Sequence, residues 1–196
     1  MPDEPGQARR ATVVSLAQEY SALRQTIASR GTARVLLVPA TVAGWAALSL
    51  VVLLNSEMPL ASLFPLAVLA SGFEAINALH VGVERIGRYL QVFHEEMSGD
   101  ESVMPPRWES TTMARGPALP GSGADPLFSV LFVLAVAINL AVAILPEPTR
   151  PEVIVLTALH LALIVRIVRA RRAAATQRAK DLEHYRDIRR GLRPEA

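Results

Sequence analysis

The chain has 196 residues, of which 51% are hydrophobic, and its mean hydropathy of +0.30 is high for a soluble protein. It contains no cysteine, which excludes a disulfide scaffold and thiolate chemistry. The formal net charge is only +2, and acidic Asp181, Glu183 and Asp187 interrupt the basic C-terminal run, so no nucleic-acid partner is expected.

The N-terminal segment, residues 1–34, is predicted to be a cytoplasmic amphipathic helix. Apolar residues at 3-4-3-4 spacing form a seam that is short for a free-standing coiled coil. We expect the helix to pack on the cytoplasmic face of the protein itself. An oligomerising coil and a helix lying on the bilayer surface are the alternatives. The seam consists of Val13, Leu16, Tyr20, Leu23 and Ile27.

Long apolar runs follow. Residues 35–54 and 127–145 are uncharged, and each is long enough to cross a hydrocarbon core of ~30 Å as a helix. A third run, 59–83, is broken only by Glu74, and a fourth, 153–165, is short. The first run is too long for a signal peptide, so we expect it to be a retained span.

The short fourth run spans only if it is extended past Arg166 while this side chain snorkels to the interface. Short connections at 55–58 and 146–152 join antiparallel neighbours. We therefore predict an all-α polytopic membrane protein with four transmembrane helices arranged as two antiparallel hairpins. After the N-terminal helix come a first hairpin with a cytoplasmic extension (35–96), a flexible cytoplasmic loop containing Trp108 (97–126), and a second hairpin with a basic C-terminal helix reaching about Arg190 (127–196).

The distribution of arginine predicts the orientation. Arginines are frequent before the first span, after the second and after the fourth, which places both termini in the cytoplasm. The expected location is a bacterial inner membrane. Arginines just inside the fourth span are predicted to contact anionic lipid headgroups. They are Arg166, Arg169, Arg171 and Arg172.

The second span carries a polar stripe. Its polar residues fall within an arc of roughly 140° on a helix, and a carboxyl group in a span needs surroundings other than lipid. We therefore expect the stripe to face the interior. The predicted intramembrane polar site consists of Glu74, Asn77, His80, Asn139 and His160, and the predicted cytoplasmic face of this helix of Glu84, Arg85 and Arg88.

Three functions are compatible with these residues. The polar groups can be structural contacts of a non-enzymatic component that acts as a homo-oligomer or accessory subunit. Glu74 can alternatively serve a small channel or proton-coupled carrier. His80 and His160 can ligate a b-type haem, or a metal with help from Glu84, although no metal-binding motif is present. Nucleotide loops and nucleophile elbows are absent, so we expect neither an enzyme nor a required cofactor.

Overall fold

The computed structural model describes residues 5–55, 58–95 and 124–191, with side chains at 17–54, 58–94 and 128–191 except 175. These residues contain no strand, so the all-α prediction is confirmed for this part of the chain. Most of the predicted loop, including Trp108, lies outside the described residues. The helices are α1 (Pro5–Asn55), a short 3-10 helix (Pro59–Ser62), α2 (Leu63–Leu90) continued by a π-helical turn (Gln91–Glu95), α3 (Ala124–Ile144) and α4 (Arg150–Gly191).

Three helices are long and apolar enough to cross a membrane: Ala17–Leu54, Pro59–His94 and Arg150–Gly191. The described side chains of α3, Phe128–Ile144, form a shorter apolar helix. Large apolar side chains on the outside are well exposed, for example Leu54 at 71% and Ile154 at 68%. Such a surface suits lipid and not water.

The first helix is longer than the sequence predicted. We expected an N-terminal helix followed by a separate span, and the structure has one continuous helix through Pro39. Residues 31–38 contain a single glycine and no proline, so nothing in the backbone ends the helix between its polar and apolar parts. Pro39 lacks an N–H and costs one intrahelical hydrogen bond there. The prediction that α4 continues to about residue 190 is confirmed.

The core lies around α2, which contacts α1, α3 and α4. The edge of the Phe132 ring meets Phe73, with ring centroids 5.6 Å apart. A close approach of α1 to α2 occurs at Gly72, where an added methyl group would overlap with the Thr41 side chain. The largest group of buried apolar residues comprises Val38, Leu66, Leu69, Phe73, Ile76, Phe132, Ala135, Val136, Leu163, Ile167 and Ala170.

A tight turn and a capping box connect α3 to α4. Glu147 adopts a positive φ of 54°, and its N–H donates to the carbonyl of Ile144. The Glu152 carboxylate then accepts hydrogen bonds from the backbone N–H and the hydroxyl of Thr149, at 2.8 and 2.7 Å. The Thr-x-x-Glu spacing is the sequence signature of a helix start, and it fixes where α4 begins.

Candidate functional site

A buried hydrogen-bond cluster around Asn139 joins α1, α3, α4 and the 3-10 helix that precedes α2. The Nε1–H of Trp45 on α1 donates to the amide oxygen of Asn139 on α3, at 3.1 Å. The amide nitrogen of Asn139 donates to the carbonyl oxygen of Ser62, just before α2, at 3.0 Å, and lies 2.9 Å from Nε2 of His160 on α4. Asn139 is 1% exposed and His160 is fully buried, so these bonds are shielded from solvent. We name these four residues the Asn139 cluster.

The partners in the Asn139 cluster fix its proton positions. Nδ1 of His160 lies 2.6 Å from the carbonyl oxygen of Leu156, which can only accept, so Nδ1 carries the proton. Nε2 then accepts from the Asn139 amide. Rotating that amide by 180° would turn its oxygen toward the Ser62 carbonyl and its NH₂ group toward the Trp45 N–H. The arrangement therefore holds a neutral imidazole with both ring nitrogens engaged.

His80 lies in a different part of the bundle. Its Nδ1 is 2.9 Å from Nη1 of Arg34 on α1, and its Nε2 is 3.6 Å from a carboxylate oxygen of Glu84. Ser62, which shares the Asn139 amide with His160, lies about 27 Å from His80 along the axis of α2. The structure therefore does not bring His80, Glu84 and His160 together as the haem or metal hypothesis requires. Among the described residues, no group of three or more His, Asp or Glu side chains has the geometry to hold a metal.

Glu74 faces outward, which corrects the expectation that it belongs to an interior polar site. Its carboxylate forms an ion pair with Arg166 on α4 at 2.8 Å, and the two side chains are 47% and 46% exposed. The buried face of α2 is instead formed by apolar residues such as Leu69 and Phe73. Arg166, for which we predicted a lipid-headgroup contact, thus has a protein partner. Asn77 is half-buried and has no hydrogen-bond partner among the described residues.

Arg88 is the most deeply buried charged residue of the described chain, at 1% exposure. Its guanidinium lies 3.0 Å from Glu84 and 3.0 Å from Asp181 on α4, whose other carboxylate oxygen accepts from Gln177 at 2.8 Å. Glu84 and Arg88 form an i,i+4 ion pair within α2. The link to Asp181 was not predicted, and it joins the ends of α2 and α4. Arg85, from the same predicted face, is exposed.

Aromatic residues pack beside this ion-pair group. The hydroxyl of Tyr89 donates to the carboxylate of Glu19 on α1, at 2.8 Å. Partial burial and this acidic neighbour raise the pKa of Tyr89 to about 12. Its ring meets that of Tyr185 on α4 edge-on, with centroids 5.9 Å apart, and Arg189 caps the carbonyl of Val92 in the π-helical turn at 3.1 Å. Here α1 near Glu19, the end of α2 from Arg88 and the last part of α4 from Asp181 form one packed layer. We call it the terminal layer.

Comparison of the chain with family models, characterised proteins and solved structures finds no match. A function therefore has to be inferred from the chemistry of its own residues. Of the predicted seam in α1, Tyr20, Leu23 and Ile27 are half-buried, and the Tyr20 ring lies 5.5 Å from the ring of His94 between centroids. The side chains of Val13 and Leu16 lie outside the described residues.

Sequence reasoning missed several members of these contacts. Trp45 is a lone indole in an apolar run, and its N–H needs a partner in a membrane, which was a usable signal. The Ser62 contribution is a backbone carbonyl and leaves no trace in residue types. The ion pair of Glu74 with Arg166 could have been predicted from the positions of the two residues along their helices. Glu74 lies about 22 Å along the helix axis from Pro59, and Arg166 about 24 Å from Arg150, so both are equally far from the connecting turns.

Proposed function

We propose that this chain is a four-span, non-enzymatic component of a bacterial inner membrane that acts through contacts with other proteins, as a homo-oligomer or accessory subunit. The apolar surface of α3 supports the fourth crossing. Phe132 and Val136 are buried on one side of it, while Val130, Leu134 and Ile138 are 50–54% exposed on the other. A helix that is apolar on all sides needs lipid where it lacks protein neighbours. Two antiparallel hairpins then follow from the connections between the helices.

The terminal layer is the proposed interaction surface. Arginine is concentrated at this end of the bundle, which supports a cytoplasmic position. Buried Arg88 ties α2 to α4, and the hydroxyl of Tyr89 ties α2 to α1. Helices fixed to each other in this way offer a rigid outer surface. Ile188, 42% exposed on the last turns of α4, is an apolar residue on that surface.

The proposal rests on one observation: the most buried polar side chains form hydrogen bonds and ion pairs with other groups of the protein. Asn139 and His160 use their polar atoms in contacts between helices, and Arg88 is held by two carboxylates. Polar groups used in this way hold a bundle together, as is common in membrane proteins. A catalytic or transport site requires polar groups that are open to a substrate.

Topology can be tested by cysteine labelling, because the native chain has no cysteine. Single variants Glu147→Cys and Gly191→Cys place a thiol in the α3–α4 turn and at the end of α4. Four spans predict that a membrane-impermeant maleimide applied from outside labels position 147 and leaves position 191 unlabelled until the membrane is opened. With α3 outside the membrane, the two positions would exchange their behaviour, which would refute the four-span arrangement.

The interaction role can be tested by the mass of the purified complex. We expect the full chain in mild detergent to run as an assembly by light scattering, and Ile188→Asp to reduce its mass. Lys180→Asp is the matched control, since Lys180 is also exposed on α4 but polar. A monomer for the native chain without a co-purifying subunit, or equal effects of both variants, would count against an interface on the terminal layer.

The carrier alternative is tested on the same preparation. Reconstituted vesicles are expected to hold a proton gradient as well as empty vesicles do, because Glu74 lies outside the packed core and is neutralised by Arg166. Proton flux that depends on the protein and that Glu74→Gln abolishes would replace the interaction role by a transport role.

A further inference from the structure

A groove between α3 and α4 has an apolar length and a basic end. The open space within it measures about 540 Å³, which is within the size range of ligand sites in proteins. Its apolar part is lined by Val130, Val133, Leu134, Ile167 and Val168. Val130, Leu134 and Val168 are 39–54% exposed, so the groove opens along the side of the bundle that faces away from the core.

The basic end of the groove is formed by Arg171 and Arg172 on α4, beside Ser129 on α3. Both arginines are exposed, and among the residues that the structure describes neither forms an ion pair or a hydrogen bond. They differ in this from Arg88 and Arg166, whose guanidiniums are held by carboxylates. The guanidiniums of Arg171 and Arg172 are therefore available to an anion at the groove mouth.

The position of the groove along α4 agrees with the dimensions of a lipid leaflet. Arg171 follows the first residue of α4 by about 32 Å along the helix axis, close to the ~30 Å thickness of a hydrocarbon core. The arginines thus lie at the level of phosphate groups when the α3–α4 turn lies at the opposite interface. Ile167 and Val168 lie one helical turn deeper, where acyl chains begin.

We propose that this groove is a binding site for an anionic glycerophospholipid, with its phosphate at Arg171 and Arg172 and one acyl chain along the apolar walls. Charge complementarity selects an anionic headgroup, since guanidinium pairs with phosphate oxygens in a bidentate manner. The apolar length selects a lipid with an acyl chain over a soluble phosphate. The site rests on the proposed crossing of the membrane by α3, which the cysteine labelling tests separately.

The test is native mass spectrometry of the full chain in detergent, where no bilayer surface charge contributes to binding. Dioleoyl phosphatidylglycerol is expected to bind more tightly than dioleoyl phosphatidylcholine. Removing both charges by Arg171→Gln with Arg172→Gln should weaken phosphatidylglycerol binding by at least about tenfold, because each variant loses a charge-assisted hydrogen bond to the phosphate. The matched control removes two charges outside the groove, Arg169→Gln with Lys180→Gln, and should leave the affinity almost unchanged.

A second variant tests the apolar walls and leaves the arginines in place. Val168→Trp fills the groove and should weaken binding of the dioleoyl lipid while sparing glycerol 3-phosphate, which has no acyl chain to place in it. Far-UV circular dichroism checks that each variant keeps its helices. Equal loss in the Arg169/Lys180 control, equal binding of both headgroups, or an unaffected Val168→Trp would each overturn the site. If one of these results is obtained while Glu147→Cys is still labelled from outside, only the lipid site is rejected and the four-span arrangement stands.

Discussion

Replacing Asn139 by leucine should destabilise the bundle through the loss of three hydrogen bonds at one buried position. The Asn139 amide contacts Trp45 at 3.1 Å, Ser62 at 3.0 Å and His160 at 2.9 Å. Interhelical hydrogen bonds in membrane proteins average about 0.6 kcal/mol, with a maximum near 1.7 kcal/mol. Three of them predict a loss of about 2 kcal/mol, and at most about 5 kcal/mol. Leucine has the branched shape of asparagine and a larger volume, so this loss would not come from a cavity.

The measurement is the free energy of unfolding from titration of the purified protein with sodium dodecyl sulfate in mixed micelles, followed by far-UV circular dichroism. Asn77→Leu is the matched control, because Asn77 is a half-buried asparagine without a hydrogen-bond partner among the described residues. Its replacement should change the free energy of unfolding by about 0.5 kcal/mol or less.

A double-mutant cycle separates the bond between Asn139 and His160 from the others. His160→Leu removes that bond together with the hydrogen bond to the Leu156 carbonyl. Because both single variants lose the shared bond, the double variant should lose less than their sum, by roughly 0.6–1.7 kcal/mol. Equal stabilities of Asn139→Leu and Asn77→Leu, or strict additivity in the cycle, would refute the argument that this cluster holds the helices together.

Three further variants test other contacts in the same unfolding assay. Gly72→Ala should cost about 1–3 kcal/mol because its new methyl group overlaps with α1. Gly44→Ala is the control, because its added methyl group would lie 3.8 Å from the nearest side-chain atom; this variant should be neutral or stabilising. Similar losses in both variants would contradict the close approach of α1 to α2 at Gly72. Arg88→Met should cost about 1–3 kcal/mol because it leaves the partly buried carboxylates of Glu84 and Asp181 without their cation, whereas the exposed Arg85→Met should have little effect. Equal effects of the two variants would contradict the burial of Arg88. Because the pKa of Tyr89 is raised to about 12 in the folded protein and its phenol ionises near ~10 when unfolded, stability should fall as pH rises between these values. Tyr89→Phe should reduce this loss of stability at high pH. If the variant loses as much stability as the native chain, other groups cause the pH dependence.

The helices could be predicted because their signals are local. The uncharged runs of sufficient length and the apolar seam of the N-terminal helix depend only on neighbours in the chain. The i,i+4 pair of Glu84 with Arg88 belongs to the same class, since helix geometry alone brings the two side chains together. The continuous α1 is not predicted, because the composition changes near residue 34 as it does at a boundary between helices, although no residue there breaks a helix.

The contacts between helices could not be predicted in the same way. Which residue of α4 meets Arg88 or Asn139 depends on the rotation and tilt of each helix, and the 3.6-residue period leaves both undefined. A stripe of polar residues therefore predicts a shared face but not which neighbour it meets. In the structure that stripe divides, so that Arg88 is buried, His80 contacts α1 and Glu74 is exposed.

The ion pair of Glu74 with Arg166 connects two irregularities of the sequence. Glu74 interrupts the third apolar run, and Arg166 ends the fourth run after only 153–165, too short for a span. An unpaired charge at membrane depth costs at least ~2.5 kcal/mol, so each residue alone would disfavour its helix there. Because the two charges lie equally far from the connecting turns and touch at 2.8 Å, each neutralises the other. With Arg166 neutralised, the apolar part of α4 continues through Ile167 and Val168 and reaches the next arginines at a normal span length. This ion pair thus explains how the shortest apolar run belongs to a helix long enough to cross a membrane.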